Sequence, residues 1–372
     1  MAVALQVETI LGKYRLLVDR QLRQVIDQAQ EEAGLEPLAE FYGQMRYHFG
    51  WVHPDLTPAQ GKPGKFLRPT LLLLAFQVCR QEAIAFSDTP PPYHLEQILP
   101  AAAAVELVHN FSLIHDDIED SDPLRHNRPT LWKLWGQPQA INTGDGLFSL
   151  ARLALSELTS HGVEAHTVLT LVRLLDSACL TLCEGQYLDM RFERQGDLSV
   201  NLYLDMIGRK TAALMRCTME MGARLATSDQ ETITRLAVFG QALGLAFQLR
   251  DDLLGVWADE QELGKAPAGD IRRKKMSLPI LDALESSPVK QRSRLQTIYA
   301  ADGPASNAQI AEVLEIFDTN AVREHCQQRI DEAVASARQA LEAITPGATG
   351  AEAWNELSAL VDFLVLAPHR QV

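Results

Sequence analysis

The chain has 372 residues, 47% of them hydrophobic, and a formal net charge of −14 at pH 7. That apolar share supplies a real core, and the length allows one large domain or two ordinary ones. The charge argues against nucleic acid as a partner, and any other polyanion would need metal ions or a local basic pocket to bind.

From Leu5 to Ala33, apolar residues recur at three- and four-residue spacing among Gln, Arg and Glu, which predicts a helix. Charges interrupt this N-terminal stretch too early for a signal peptide. The same period marks 66–82, 95–120, 138–161, 163–194, 200–225, 229–258, 275–286, 308–318, 321–342 and 350–366. Gly, Pro, Ser and Asp predict loops at 55–64, 87–92, 193–197, 301–306 and 345–350, none long enough for an interdomain linker. Alternating strand patterns are nearly absent. The expectation is therefore all-α: a single large helical-bundle domain over residues 1–372. LLLLAF at 71–76 is too short to span a bilayer, so no membrane span is expected. Cys79, Cys179, Cys183, Cys217 and Cys326 form no CxxC pair and read as small buried hydrophobes in a reducing, cytoplasmic compartment.

Chemistry concentrates at a few points along this chain. GKPGKFLRP, residues 61–69, presents Lys65 and Arg68 in a Gly/Pro-rich loop that leads into a helix. VELVHNFSLI then delivers Asp116, Asp117 and Asp120 in the pattern Asp-Asp-x-x-Asp. On a helix Asp116 and Asp120 face the same way one turn apart, where like charges repel unless a cation sits between them. Such a run can be a solvated helix end, but the apolar residues before it carry the acids inward. Arg125, His126 and Arg128 follow closely, and IGRKTAALM adds Lys210 and Thr211. FQLRDDLLGVWAD repeats the arrangement with Asp251, Asp252 and Asp259, and the glycine-bearing loop after it holds Lys265 and Lys275. Two facing bundle helices with inward carboxylates make a cage for hard divalent ions, and Mg²⁺ prefers a few carboxylates, waters and phosphates. Acids that hold metals, beside Arg and Lys that hold phosphates, describe a site for two polyanionic substrates.

These segments, in order GKFLRP, HNFSLIHDDIED with LRHNRPT, GRKT, FQLRDD and GK…GDIRRKKMSLP, resemble the trans-polyprenyl (isoprenyl) diphosphate synthases. The likeness runs from Gly64 through Pro279, with helical flanks on both sides. It implies the class I isoprenoid synthase fold and a short-chain prenyltransferase of the geranylgeranyl/farnesyl diphosphate synthase type. By resemblance, Asp116, Asp120 and Asp251 coordinate Mg²⁺, three ions with substrate bound, and Asp117 and Asp252 support them. Arg125, Lys210 and Lys265 hold an allylic diphosphate (dimethylallyl, geranyl or farnesyl), with Thr211 and Gln248 at the reacting end. Lys65, Arg68, His109 and His126 hold isopentenyl diphosphate, while Asp270 and Lys275 belong to a closing flap. A homodimer is expected from the family alone.

Two positions depart from the pattern. Gly255 stands where many relatives carry a third Asp, and His126 stands where a second Arg is usual. Phe111 and Ser112, five and four positions before Asp116, are the candidates for setting product length. One large and one small residue there imply a short all-trans product, geranylgeranyl (C20) ahead of farnesyl (C15). Two other readings fit parts of the chain. A class I terpene cyclase would leave Lys65, Arg68 and His109 without purpose. A non-catalytic regulatory subunit would have no reason to keep intact acid clusters.

Overall fold

The computed structural model describes residues 2–59, 64–80, 93–192, 198–258, 268–347 and 349–366. The helices are α1 (Ala2–Ala33), α2 (Ala39–His48), α3 (Leu67–Cys79), α4 (Leu95–Glu119), α5 (Leu131–Trp135), α6 (Gln137–Glu157), α7 (Ala165–Phe192) and α8 (Val200–Ile207). They continue with α9 (Ala213–Arg224), α10 (Gln230–Trp257), α11 (Gly269–Arg273), α12 (Leu278–Ser286), α13 (Val289–Ala300), α14 (Asn307–Thr319), α15 (Val322–Glu342) and α16 (Ala351–Leu366).

The most apolar helices lie innermost. Leu71 through Phe76 of α3 and Ala101 through Val105 of α4 are all fully buried, so these stretches have no face to offer water. Around them α4 packs on α6, α3 on α9, and α10 on both α9 and α15. Such close crossings need small residues. A methyl at Gly222 of α9 would lie 2.2 Å from the Leu72 carbonyl of α3. Helix starts are fixed by side-chain acceptors: Asp229 accepts from the Thr232 amide (3.0 Å) at α10, and Ser199 accepts from the Leu202 amide (3.3 Å) at α8.

The structure adds detail that periodicity did not predict. Helices α2 and α13 carry mixed, largely polar sequences, and only Leu295 and Ile298 of α13 are buried, so neither has a clear apolar stripe. The expected 275–286 helix begins only at Leu278, because Pro279 fits just the first turn. The continuous helix expected over 200–225 is broken by a π-helical turn at Gly208–Ala212. A small antiparallel hairpin, β1 (Leu124–Arg125) and β2 (Arg128–Pro129), follows the first acid cluster. Its two-residue turn puts His126 (φ 51) and Asn127 (φ 60) in the left-handed region, as a type I′ turn requires. The predicted loops 87–92 and 193–197 lie outside the described residues. By length and composition α4 and α7 could each cross a membrane; α4 is largely buried, while much of α7 is not. Along α7 the exposed Leu169, Leu180 and Tyr187 share one face by helical spacing.

Gly222→Ala should force α3 and α9 apart and lower stability by about 1–3 kcal/mol, read as a shifted urea midpoint with unchanged slope.

Candidate active site

The inner end of α4 collects negative charge where the helix dipole already places it, so the acids there need cations. Asp117 is buried, and Nε and Nη2 of Arg125 both lie 2.8 Å from its Oδ1. Nη2 of Arg125 also lies 3.5 Å from Asp116 Oδ2. Burial outweighs the pull of Arg125, and the Asp117 carboxyl rises to about 6. Asp116 is half-buried and meets Lys210 Nζ at 3.1 Å, while that ammonium also donates to Asp189 Oδ2 at 2.7 Å. Burial opposes the charge of Lys210, but Asp116 and Asp189 more than offset it and raise its pKa. Asp120, at the helix end, is exposed.

Lys210 reaches this position from the π-helical turn, whose wider winding aims Lys210 and Thr211 at the recess. Gly185 of α7 allows it: a methyl there would lie 2.3 Å from the Lys210 amide nitrogen.

The second acid cluster stands near the end of α10 and connects through side chains to Thr211, the neighbour of Lys210. Thr211 Oγ1 donates to Gln248 Oε1 (3.0 Å), and Gln248 Nε2 donates to Asp252 Oδ1 (3.3 Å). Asp252 is almost wholly buried; it accepts the Tyr203 hydroxyl and the Leu278 amide (3.4 Å), with Lys275 Nζ 3.9 Å away. Burial nonetheless raises its pKa. Asp251 has the accessible surface of an exposed residue, yet protein crowds it from the sides. That crowding, ahead of the charge on Asp252, lifts its carboxyl to about 6. Asp252, Asp270, Asp189 and Lys210 all act on Lys275, and Lys210 in turn meets Asp116, so a succession of lysines and acids runs from the second cluster to the first.

At Gly255 the structure supplies an acid from elsewhere. A methyl at residue 255 would lie 2.3 Å from Asp270 Oδ2, so the missing side chain leaves space that the buried Asp270 carboxylate occupies. Arg273 donates to Asp270 Oδ1 at 2.8 Å. Asp270 and Lys275, expected on a flap, therefore lie against the second acid cluster.

A cavity of about 320 Å³ opens beside the first cluster, lined by Arg68, His109, Phe111, Ser112, Asp116, Lys210 and Thr211 among others. Arg68 Nη1 and His109 Nε2 are 3.0 Å apart, and Arg68 Nε is buried without a hydrogen-bond partner, as at a site that awaits an acceptor. Phe111 packs against Phe148 (ring centroids 4.9 Å) and edge-on to His115 (5.0 Å), while the Ser112 hydroxyl turns back to the His109 carbonyl (2.7 Å). Lys65 is exposed and influenced by Glu8 and Arg15 of α1, away from the lining of this cavity. Lys265 and Asp259 lie outside the described residues. Sequence reasoning missed Asp189, Tyr203 and Asn110, single polar residues inside apolar helical runs; an isolated acid in YLDM or YLDMI was the only signal.

The donor set fits hard divalent cations. Two lysine ammoniums stand between carboxylates at Asp116/Asp189 and beside Asp252, which are positions of strong negative potential. Among the described residues no three acid or histidine side chains close around a single point. A Mg²⁺ ion here would complete its shell with water and phosphate, as that ion prefers.

The polyprenyl synthetase family matches residues 54–317. The chain is 38% identical over 309 residues to a geranylgeranyl diphosphate synthase of Mycobacterium tuberculosis, covering 82% of this chain and 83% of the relative. A crystal structure of a polyprenyl synthetase from Streptomyces coelicolor A3(2) superposes with a TM-score of 0.83 at 35% identity, covering 97% of this chain and 100% of the other. A geranylgeranyl pyrophosphate synthase from Corynebacterium glutamicum, complexed with isoprenyl diphosphate and magnesium, gives 0.78 at 26% identity, with 96% and 99% covered.

Tyr203→Phe removes a hydroxyl donor from buried Asp252 and should raise the acid's pKa further. A raised carboxyl pKa favours the fold at low pH, an advantage lost as pH rises through the folded-state value. The variant should therefore lose about 1–3 kcal/mol at pH 7 and less at pH 5 in urea denaturation.

Proposed function

The chain belongs to the polyprenyl synthetase family and is a short-chain trans-prenyltransferase, and on that premise we propose how its residues divide the work. The substrates are isopentenyl diphosphate and an allylic diphosphate (dimethylallyl, geranyl or farnesyl). The product is all-trans, geranylgeranyl diphosphate ahead of farnesyl diphosphate.

The observation that carries the assignment is Lys210, held at 3.1 Å from Asp116 and 2.7 Å from Asp189 in a recess also lined by Thr211 and the Arg68–His109 pair. A lysine in such a setting can turn from carboxylate to phosphate as substrate arrives. Asp116, Asp120 and Asp251 would hold Mg²⁺, three ions in the substrate complex, whose charge neutralises the departing pyrophosphate. Asp117 and Asp252 brace these acids from the buried side, Asp117 through Arg125 and Asp252 through Tyr203 and Gln248. Arg125, Lys210 and Lys265 bind the allylic diphosphate, and Asp270 and Lys275 close the site from the α11 side.

The allylic C–O bond breaks with its electron pair going to the pyrophosphate oxygen, which leaves an allylic cation. Fixed cations already aimed at that oxygen lower the barrier because they need no reorganisation. Thr211 and Gln248 present oxygens to the positive carbon. Isopentenyl diphosphate, held by Lys65, Arg68, His109 and His126, offers its double-bond electrons to C1. The new C–C bond leaves a tertiary cation, which loses a proton to the released pyrophosphate. Water must be absent, or the cation is hydrolysed.

Phe111 stands in the wall where the growing tail would pass, and its support by Phe148 and His115 makes it a firm stop. The exposed apolar stripe of α7, with Leu153 of α6 alongside, suits coverage by a second copy of the chain in a homodimer. Unpaired cysteines suit a cytoplasmic setting.

Purified chain given Mg²⁺, isopentenyl diphosphate and C5, C10 or C15 primers should yield C20 ahead of C15, with turnover abolished by EDTA; hydrocarbons from farnesyl diphosphate alone would point to a cyclase. Phe111→Ala should shift the chromatographed products to longer chains; unchanged lengths would remove the ring from any gating role.

A further inference from the structure

Phe111 can stop a growing tail only if its ring is kept from swinging aside, and two neighbours keep it in place. His115, one turn further along α4, meets it edge-on with ring centres 5.0 Å apart, and Phe148 of α6 meets it at 4.9 Å. Four positions apart, Phe111 and His115 share one face of the helix. Both border the cavity beside the first acid cluster, where His115 is half-buried.

What seats His115 lies outside that cavity, on α6. Its Nε2 is 3.4 Å from the Ile141 carbonyl oxygen and 3.5 Å from Asp145 Oδ1, two acceptors for one N–H. Both separations are long for hydrogen bonds, so they orient the ring without clamping it. Packing fixes the position. Gly144, one residue before Asp145, is buried against the imidazole: a methyl there would lie 2.4 Å from Nε2 and 2.5 Å from Cδ2. Glycine inside a helix is less stable than alanine, and the space this one leaves is the space the His115 ring fills. Gly144 itself does not line the cavity.

We infer that Gly144 sets product length through His115: the missing side chain lets the imidazole seat on α6, the seated imidazole backs Phe111, and the two rings together close the tail's path. The inference rests on Phe111 as a stop and adds two positioning residues to it, one of them outside the cavity. The direction of each effect follows from the packing. The atoms that a methyl at residue 144 would strike belong to the tip of a side chain and not to backbone, so the ring yields before the helices do. With α6 behind the ring and Phe111 at its edge, the side left open to it is the cavity it already borders. A ring displaced that way takes room from the tail, and a ring removed gives room to it.

The test is the product-length distribution of the purified full chain given Mg²⁺, labelled isopentenyl diphosphate and the C5 primer, with products dephosphorylated and chromatographed. Gly144→Ala should move the distribution to shorter chains and His115→Ala to longer ones. Each should change the ratio of neighbouring lengths roughly tenfold, the discrimination that a methyl-sized change in fit supplies. The double variant should match His115→Ala, because the added methyl then has no ring to push. Phe111→Ala, run alongside, separates this inference from the reading beneath it. Unchanged lengths in Gly144→Ala or His115→Ala, with longer products from Phe111→Ala, overturn the inference and leave the Phe111 stop standing. Single variants that shift the same way overturn it too, as does a double variant that keeps the shortening of Gly144→Ala. Opposite shifts in the two variants with no change in Phe111→Ala make His115 the stop and overturn the Phe111 reading. No change in any variant overturns both. Should Gly144→Ala fail to fold, His115→Trp enlarges the same side chain: shorter products support the inference, and unchanged ones overturn it.

Discussion

Carboxylates crowd one another at the inner end of α4 and again at that of α10, and at each end a cation stands against them. Asp117 leans on Arg125, Asp116 and Asp189 share Lys210, and Lys275 stands beside Asp252. Burial lifts Asp117 and Asp251 to about 6, and the like charges of Asp116 and Asp252 beside them add to it. The negative potential of these acids is what favours divalent ions, and the ions in turn make a diphosphate welcome in a chain of net charge −14.

Much of the surrounding architecture serves to keep these groups aimed. The buried stretches of α3 and α4 form an apolar mass from which the acids emerge at one end. The π-helical turn at Gly208–Ala212 shifts Lys210 and Thr211 into the recess, and Gly185 lets that backbone approach α7 closely. Such a turn is less stable than the regular helix it interrupts, and its position at the site is consistent with strain kept for placement. Tyr203 and Gln248 saturate the buried side of Asp252, while its neighbour Asp251 is exposed.

The fold class was legible because nearly every long helix carries a three-to-four-residue apolar period, and the five ordered segments made the chemistry legible too. Three kinds of feature were not. Helices α2 and α13 lack a clean stripe because tertiary packing of a few residues holds them. The π turn has no local signature, since GRKT within 200–225 continues the helical period. Through-space substitution was also hidden: Gly255 read as a lost acid, whereas Asp270 fills the space beside it from a different helix.

The central claim is that the two acid clusters act on one diphosphate through shared metal ions. Crystals grown with Mn²⁺ and a non-ionising allylic thiodiphosphate test it through anomalous scattering. The expected map has ion peaks at Asp116/Asp120 and at Asp251, joined by oxygens of a single diphosphate, with Lys210 turned from Asp116 toward phosphate. Peaks confined to one cluster, or none with Lys210 still on Asp116, would contradict it.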